Sequence, residues 1–315
     1  LSTEVNGSLF RMNIPALQVA ALNGTKINAK AVLYNVTNPK QLTYDITVFN
    51  STIPKSDIAK YLAGKDELIN KLPPSFNFGT HLKGNLKNTV ADISLISTNL
   101  QGRAAIKNFD NPSALQYNIN IADSKIDKDF LIALIPPGSL PETINLPAII
   151  KLSGTAKGDM NNVQPNLLLR GSYGMANVKG FIRQFKQPER ATYNISFFTK
   201  DFQIGKLIKQ DSLIGNLSLS GTAIGRGFNY KTMDASIKAN VERIGLQQYN
   251  YQNLLLDVNL NNGAIKSNGT INDPNIKLNY TATANVNGTY PTIETTLRVD
   301  TIQLLPLHLY NDTLN

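Results

Sequence analysis

Apolar and polar residues alternate along most of this chain. In Leu42-Thr43-Tyr44-Asp45-Ile46-Thr47-Val48 every even position is apolar and every odd one polar, the period-two signature of a strand with one dry and one wet face. The rhythm returns at Leu115–Ile121, Tyr193–Phe197, Met233–Val241 and Leu254–Leu260. Turn signals separate such runs. Asn-Gly stands at 23, 262, 268 and 287, and Asn-Pro or Asp-Pro at 38, 111 and 273. Asn-Gly takes the positive φ angles of a two-residue hairpin, so antiparallel neighbours are expected throughout.

Self-similarity overlays the alternation. Leu-x-Gly followed by Thr or Asn recurs at Gly24, Gly84, Gly154 and Gly221. A proline precedes a tyrosine by five residues at Pro39/Tyr44, Pro112/Tyr117 and Pro188/Tyr193, with an isoleucine two positions after each tyrosine. An aspartate then opens a short apolar segment at Asp57, Asp129 and Asp201, in equal steps of 72 residues, and again at Asp300. Features in a fixed order at a spacing near 70 residues indicate stacked structural repeats. About four are expected, over 1–72, 73–145, 146–213 and 214–315. Each closes on a short non-strand segment. Ser56 reads as an N-cap for a helix reaching toward Leu72, and the segments after Asp129 and Asp201 read as shorter versions.

About eighteen to twenty strands spaced ~4.8 Å apart would run on the order of 90 Å, too many for an ordinary flat sheet. The dry faces then meet in sandwiches, or one sheet curls into a trough filled by something else. Two features favour the trough. The repeats are similar in length without separate terminal caps, and no Pro/Gly/Ser linker divides the chain beyond the short Ile135–Pro141 stretch. The fold expected is therefore all-β, an elongated antiparallel repeating β-groove. It is a curled sheet with an apolar interior and short helical segments at repeat junctions.

Composition narrows the chemistry. Of 315 residues none is Cys or Trp and only two are His, which removes disulfide scaffolds, thiolate metal sites and thiol nucleophiles. His81 and His308 lack a partner at ligand spacing and read as exposed strand-end residues. Gly221–Gly227 is glycine-rich but lacks the Lys-Ser/Thr of a phosphate loop, and reads as a strand where backbones approach. Asp66-Glu67 reads as an ordinary solvated pair. No catalytic residue, metal or cofactor is expected, and the protein reads as a non-enzyme. The net charge of +9 is spread without a dense basic run, and the tyrosines fall on dry faces, so nucleic acid is not an expected partner. No apolar run reaches the length of a membrane-spanning helix. The opening Leu1-Ser2-Thr3 reads as an interior segment of a longer chain.

Between residues 201 and 288 the chain resembles a known family. Asp201-Phe202-Gln203-Ile204-Gly205-Lys206-Leu207, Ile214 to Gly221, Tyr249 to Leu254, and Gly269 followed by Asp273-Pro274-Asn275-Ile276-Lys277-Leu278 are similar to TamB, of the translocation and assembly module, and to the wider AsmA-like proteins. The repeat extends the likeness over most of the chain. The resemblance implies a periplasmic bridge-like lipid carrier. Its β-groove would shield phospholipid acyl chains between the inner and outer membranes of a diderm bacterium, with a part in outer-membrane biogenesis. It also implies an inner-membrane anchor and an outer-membrane barrel partner of the TamA type, both engaged by regions outside this segment.

The groove lining expected is Tyr44, Ile46, Tyr117, Ile119, Tyr193, Ile195, Leu217, Leu219, Ile237, Leu278 and Tyr280, each supplying apolar surface and no chemistry. Two other classes stay open. A structural or adhesin-type β-solenoid should repeat every 20 to 25 residues with parallel strands, and a carbohydrate-binding β-sandwich should show an aromatic platform or paired acids.

Overall fold

The alternating segments become eighteen strands among the described residues, which in this computed structural model are 1–60, 69, 72–96, 99–134, 144–288 and 290–308. The protein is all-β and antiparallel. It divides into two compact units, Leu1–Pro141 with Ala148–Met160, and Glu142–Pro147 with Asn161–Asn315. The first holds β1 (Ser2–Gly7), β2 (Arg11–Ala21), β3 (Thr25–Tyr34), β4 (Thr43–Pro54), β5 (Ser75–Asn85), β6 (Asn88–Leu95), β7 (Leu100–Lys107), β8 (Gln116–Asp127) and β9 (Ile149–Asp159). The second holds β10 (Val163–Gly171), β11 (Gly174–Arg183), β12 (Thr192–Gln203), β13 (Ile214–Arg226), β14 (Asp234–Leu246), β15 (Tyr249–Asn261), β16 (Ala264–Asn272), β17 (Ile276–Asn285) and β18 (Thr292–Ile302). Within each unit every strand pairs antiparallel with its sequence neighbours.

Turn chemistry accounts for this meander. Asn262 and Gly263, at φ 45° and 80°, form the two-residue connection of β15 to β16, the positive-φ pair such hairpins require. Asn-Gly at 23 and 287 likewise lies between strands, whereas Asn268-Gly269 lies inside β16. There the glycine faces Tyr280, whose Cε1 would collide with any added methyl. Packing of the aromatic ring over the bare backbone overrides the local turn preference.

Among the described residues, short α-helices follow β4, β8 and β12: α1 (Lys55–Ala59), α2 (Lys128–Leu134) and α3 (Ile204–Leu207). Ser56 does not cap α1. The cap position is Pro54, in extended conformation with no side-chain bond, and Ser56 sits within the first turn. The continuation expected toward Leu72 falls largely on 61–68, 70 and 71, outside the described residues, as do Asp66-Glu67 and Ile135–Pro141. The equal steps of Asp57, Asp129 and Asp201 conceal different placements. Asp57 and Asp129 sit in the first turns of their helices, whereas Asp201 lies in β12 at φ 48°, and Asp300 in β18.

The strands preceding the helices share an irregularity. The register slips by one residue at Val48/Ser51, Ile121/Ser124 and Thr199/Phe202, the extra residue of a β-bulge. Ser51 and Ser124 are fully buried. Each hydroxyl accepts the neighbouring strand's amide at 2.9 Å, from Asn28 and Gln101 respectively, and donates to carbonyl oxygens. At the third bulge Ser218 does the accepting, from the Asp201 amide at 2.9 Å.

Candidate functional site: an uncharged face on each unit

Directly opposed residues of paired strands point to the same face, so the register reads out each face. In the first unit one row runs Tyr44–Gly84–Thr89–Ile106–Tyr117–Gly158. The adjacent row runs Ile46–Leu82–Ala91–Ala104–Ile119–Ala156. In the second unit Tyr193–Gly225–Ala235–Leu260–Ile265–Ala284–Ile293 lies beside Ile195–Ala223–Ile237–Val258–Ser267–Ala282–Thr295. Two more rows complete that face. They are Phe197–Gly221–Ala239–Leu256–Gly269–Tyr280–Leu297 and Thr199–Leu219–Val241–Leu254–Ile271–Leu278–Val299. Leu217 extends it, opposite Phe202 and Ile244.

All eleven residues expected from the sequence therefore fall on these faces. Tyr44, Ile46, Tyr117 and Ile119 share the first unit's face; Tyr193, Ile195, Leu217, Leu219, Ile237, Leu278 and Tyr280 share the second's. None of the rows contains Asp, Glu, Lys or Arg. Tyr193 is buried and the other ten are half-buried. Small residues in the rows, such as Ala91, Ala104 and Ala223, are buried. In the second unit Tyr193, Ala223 and Ala235 form a cluster packed against Ile195, Phe197, Ile237 and Leu260.

Tyrosine and glycine face each other repeatedly. Tyr44 opposes Gly84, Tyr117 opposes Gly158, Tyr193 opposes Gly225 and Tyr280 opposes Gly269. A methyl on Gly225 would meet the Tyr193 hydroxyl at 2.7 Å, and one on Gly221 the Phe197 ring at 2.6 Å. Leu-x-Gly spacing aligns Gly84 with Gly154 and Gly221, but the sheet aligns it with Gly158 and Gly225, because the partner tyrosine sets equivalence. Gly24 stands apart at φ 126°, in the β2–β3 turn. The phenols find partners across strands: Tyr44 donates to the Asn85 carbonyl at 3.2 Å and lies 2.5 Å from Thr89 Oγ1, and Tyr280 lies 2.8 Å from Ser267 Oγ. Burial raises the Tyr117 and Tyr193 phenols above their ordinary pKa, with Asp159 adding to the effect at Tyr117.

The opposite faces are polar. His81 is not at a strand end. It sits within β5, with Nε2 2.7 Å from Asp45 Oδ1 and Nδ1 3.9 Å from Asp92, and Arg103 and Lys83 extend the ladder. Cross-strand register supplies the carboxylates that spacing along the chain could not reveal. The His81 hydrogen bond, outweighing partial desolvation and aided by Lys83, holds the Asp45 carboxyl below its ordinary pKa. On the second unit Lys238 lies 3.6 Å from Asp257. A depression of about 650 Å³ over β13–β17 is lined by Ser220, Lys238, Asn240 and Leu255 together with Gly221 and Tyr280 of the apolar rows.

Two buried carboxylates tie connections together. Asp57 accepts the amides of Asn23 and Thr25 at 3.0–3.2 Å and the Thr25 hydroxyl at 2.6 Å, clamping α1 onto the β2–β3 turn. Burial pushes its carboxyl up, but the Thr25 hydroxyl, the two amides and Lys60 together hold it below the ordinary value. Asp273 accepts the Tyr249 hydroxyl at 2.5 Å and the amides of Gln252 and Asn275 at 2.9 Å. The Tyr249 and Tyr251 phenols are raised, chiefly by burial and then by Asp273.

Among the described residues no three His, Asp or Glu side chains are placed to hold a metal, and no helix is long and apolar enough to cross a membrane. Comparison with protein-family models, with curated proteins and with solved structures gives no match.

Proposed function

We propose that the chain is a non-enzymatic, bridge-like carrier of phospholipid between the inner and outer membranes of a diderm bacterium. Acyl chains lie along the uncharged face of each unit, taken as the interior of a curled groove. One observation carries the reading: in each unit a single sheet presents apolar rows, free of charged residues and with most of their large side chains still partly exposed, on one face and a charged, Asn-rich surface on the other. Apolar surface of that extent needs an occupant. An acyl chain fits its chemistry, since each buried methylene gains roughly 0.8 kcal/mol without a shaped pocket.

The same proposal takes the four sequence repeats as stacking modules joined at α1–α3. Through the resemblance over 201–288 it takes the periplasm as the location, with an inner-membrane anchor and a TamA-type barrel as partners of the full-length protein. A sandwich would need a second layer over these rows, and a solenoid would need parallel pairing, whereas the strands within each unit pair antiparallel in one sheet.

The test is phospholipid carrying a photoreactive acyl chain, applied to the full chain and to Ile195→Asp and Leu219→Asp. Crosslinking should fall about tenfold or more in both variants while far-ultraviolet circular dichroism stays strand-like, because a carboxylate in an apolar row costs several kcal/mol unless it is hydrated. Unchanged crosslinking in folded variants sinks the reading.

A further inference from the structure

The two ends of the strands differ in a way that the groove does not require. In an antiparallel meander alternate connections share an end. In the first unit the β1–β2, β3–β4, β5–β6 and β7–β8 connections lie together; in the second, β11–β12, β13–β14, β15–β16 and β17–β18 do. These ends carry exposed aromatic residues: Phe10 and Phe109 on the first unit, and Phe185, Phe228, Tyr230 and Tyr290 on the second. No described connection at the opposite ends, where α1–α3 sit, exposes an aromatic ring; the large apolar residues there are aliphatic, Leu22, Ile96 and Leu213.

Two of the aromatic connections, β11–β12 and β13–β14 in the second unit, are also basic. Lys186 and Arg190 follow Phe185 within β11–β12, and Lys231 follows Tyr230, with its Nζ 6.0 Å from that ring. The acids at these turns are engaged: Glu189 accepts the Thr232 hydroxyl at 3.1 Å, and in the first unit Asp110 pairs with Lys87 at 3.3 Å. Phe228 is braced from beneath, stacked on Tyr193 with ring centroids 5.5 Å apart. Ring-bearing turns interleaved with cations match the headgroup layer of an anionic membrane. Aromatic rings settle at its boundary, and each nearby Lys or Arg is drawn by its negative potential.

We propose that the aromatic, basic ends of the strands dock on the surface of a membrane rich in anionic phospholipid. In the second unit Phe185, Phe228 and Tyr230 enter the interface, while Lys186, Arg190 and Lys231 meet phosphates. Docking at these turns is independent of acyl chains on the uncharged face, and the two are separable by experiment.

The chain contains no tryptophan, so single replacements report cleanly. In the full chain, Phe228→Trp, Phe10→Trp and, at the opposite end, Leu213→Trp are titrated with vesicles of phosphatidylcholine alone or mixed with phosphatidylglycerol. Brominated acyl chains serve as quenchers. The expected result is a blue shift and quenching for Phe228→Trp and Phe10→Trp on the anionic vesicles, weakened by salt, with Leu213→Trp unmoved. Phe185→Ser, Phe228→Ser and Tyr230→Ser combined should lower vesicle affinity about tenfold or more, whereas Ile195→Asp should leave it intact.

Equal shifts at Leu213→Trp, equal affinity for neutral vesicles, or unchanged binding by the triple variant overturns the proposal. Self-association that depends on these turns without vesicles assigns the surface to a protein partner instead. Vesicle binding lost in Ile195→Asp but kept in the triple variant defeats membrane docking and leaves the carrier reading standing. The converse, with lipid crosslinking also untouched by Ile195→Asp, does the opposite.

Discussion

Asp57 exemplifies what single side chains do here. Its carboxylate is buried yet accepts three hydrogens from the β2–β3 turn. With a folded-state pKa below the unfolded one, its contribution to stability is complete above the ordinary carboxylate value of about 3.9 and is lost as pH falls through the depressed value. Asp57→Asn should therefore melt at lower temperature than the parent near neutral pH, and the gap should close on acidification below about pH 4; thermal melts across that range check it. Asp273→Ala should cost roughly 3 kcal/mol in urea unfolding, since it strands the amides of Gln252 and Asn275 and the Tyr249 hydroxyl. The position of Asp57 is legible in the sequence as the opening residue of an apolar segment. Its role is not, because the partners lie more than thirty residues upstream and a repeat reports spacing without saying what each copy touches.

At the scale of elements, alternation and turn residues yield strands, faces and antiparallel order directly, and each of the eleven residues picked out by parity falls on the uncharged side. What escapes is whatever breaks period two by one residue. In Val48-Phe49-Asn50-Ser51 the bulge inserts a residue and turns Ser51 inward, where parity alone would count it as a wet-face residue continuing the odd set. The burial is stable because the hydroxyl replaces the interrupted ladder, accepting the Asn28 amide and donating to carbonyls. Its counterpart gives the test. Ser124→Ala takes the partner from the part-buried Gln101 amide and should destabilise by about 1–3 kcal/mol. Ser113→Ala, in the exposed 3-10 helix Pro112–Ala114, should change little. Glycine placement follows the same logic: Gly269→Ala should cost about 1–3 kcal/mol through collision with the Tyr280 ring and the Leu255 carbonyl. Pairing it with Tyr280→Ala should give less than the sum of the two losses.

At the scale of the whole molecule, the sequence specifies that one face is dry but not what keeps it so, because period two is equally satisfied by a facing sheet or by a lipid. Nor does it reveal the division into two compact units, since the alternation continues through both. The polarity of charge separates the two surfaces proposed for lipid. Apolar rows without a charged residue should bind a fluorescent fatty acyl probe with little dependence on ionic strength. The aromatic ends, where Lys186, Arg190 and Lys231 gather, should release anionic vesicles as salt approaches about 1 M, where the screening length falls to about 3 Å. Measuring both on the same preparation distinguishes two lipid-binding surfaces from one. If acyl-probe and vesicle binding fall in parallel with salt, a single electrostatic site serves both, and the uncharged face has no part in holding lipid.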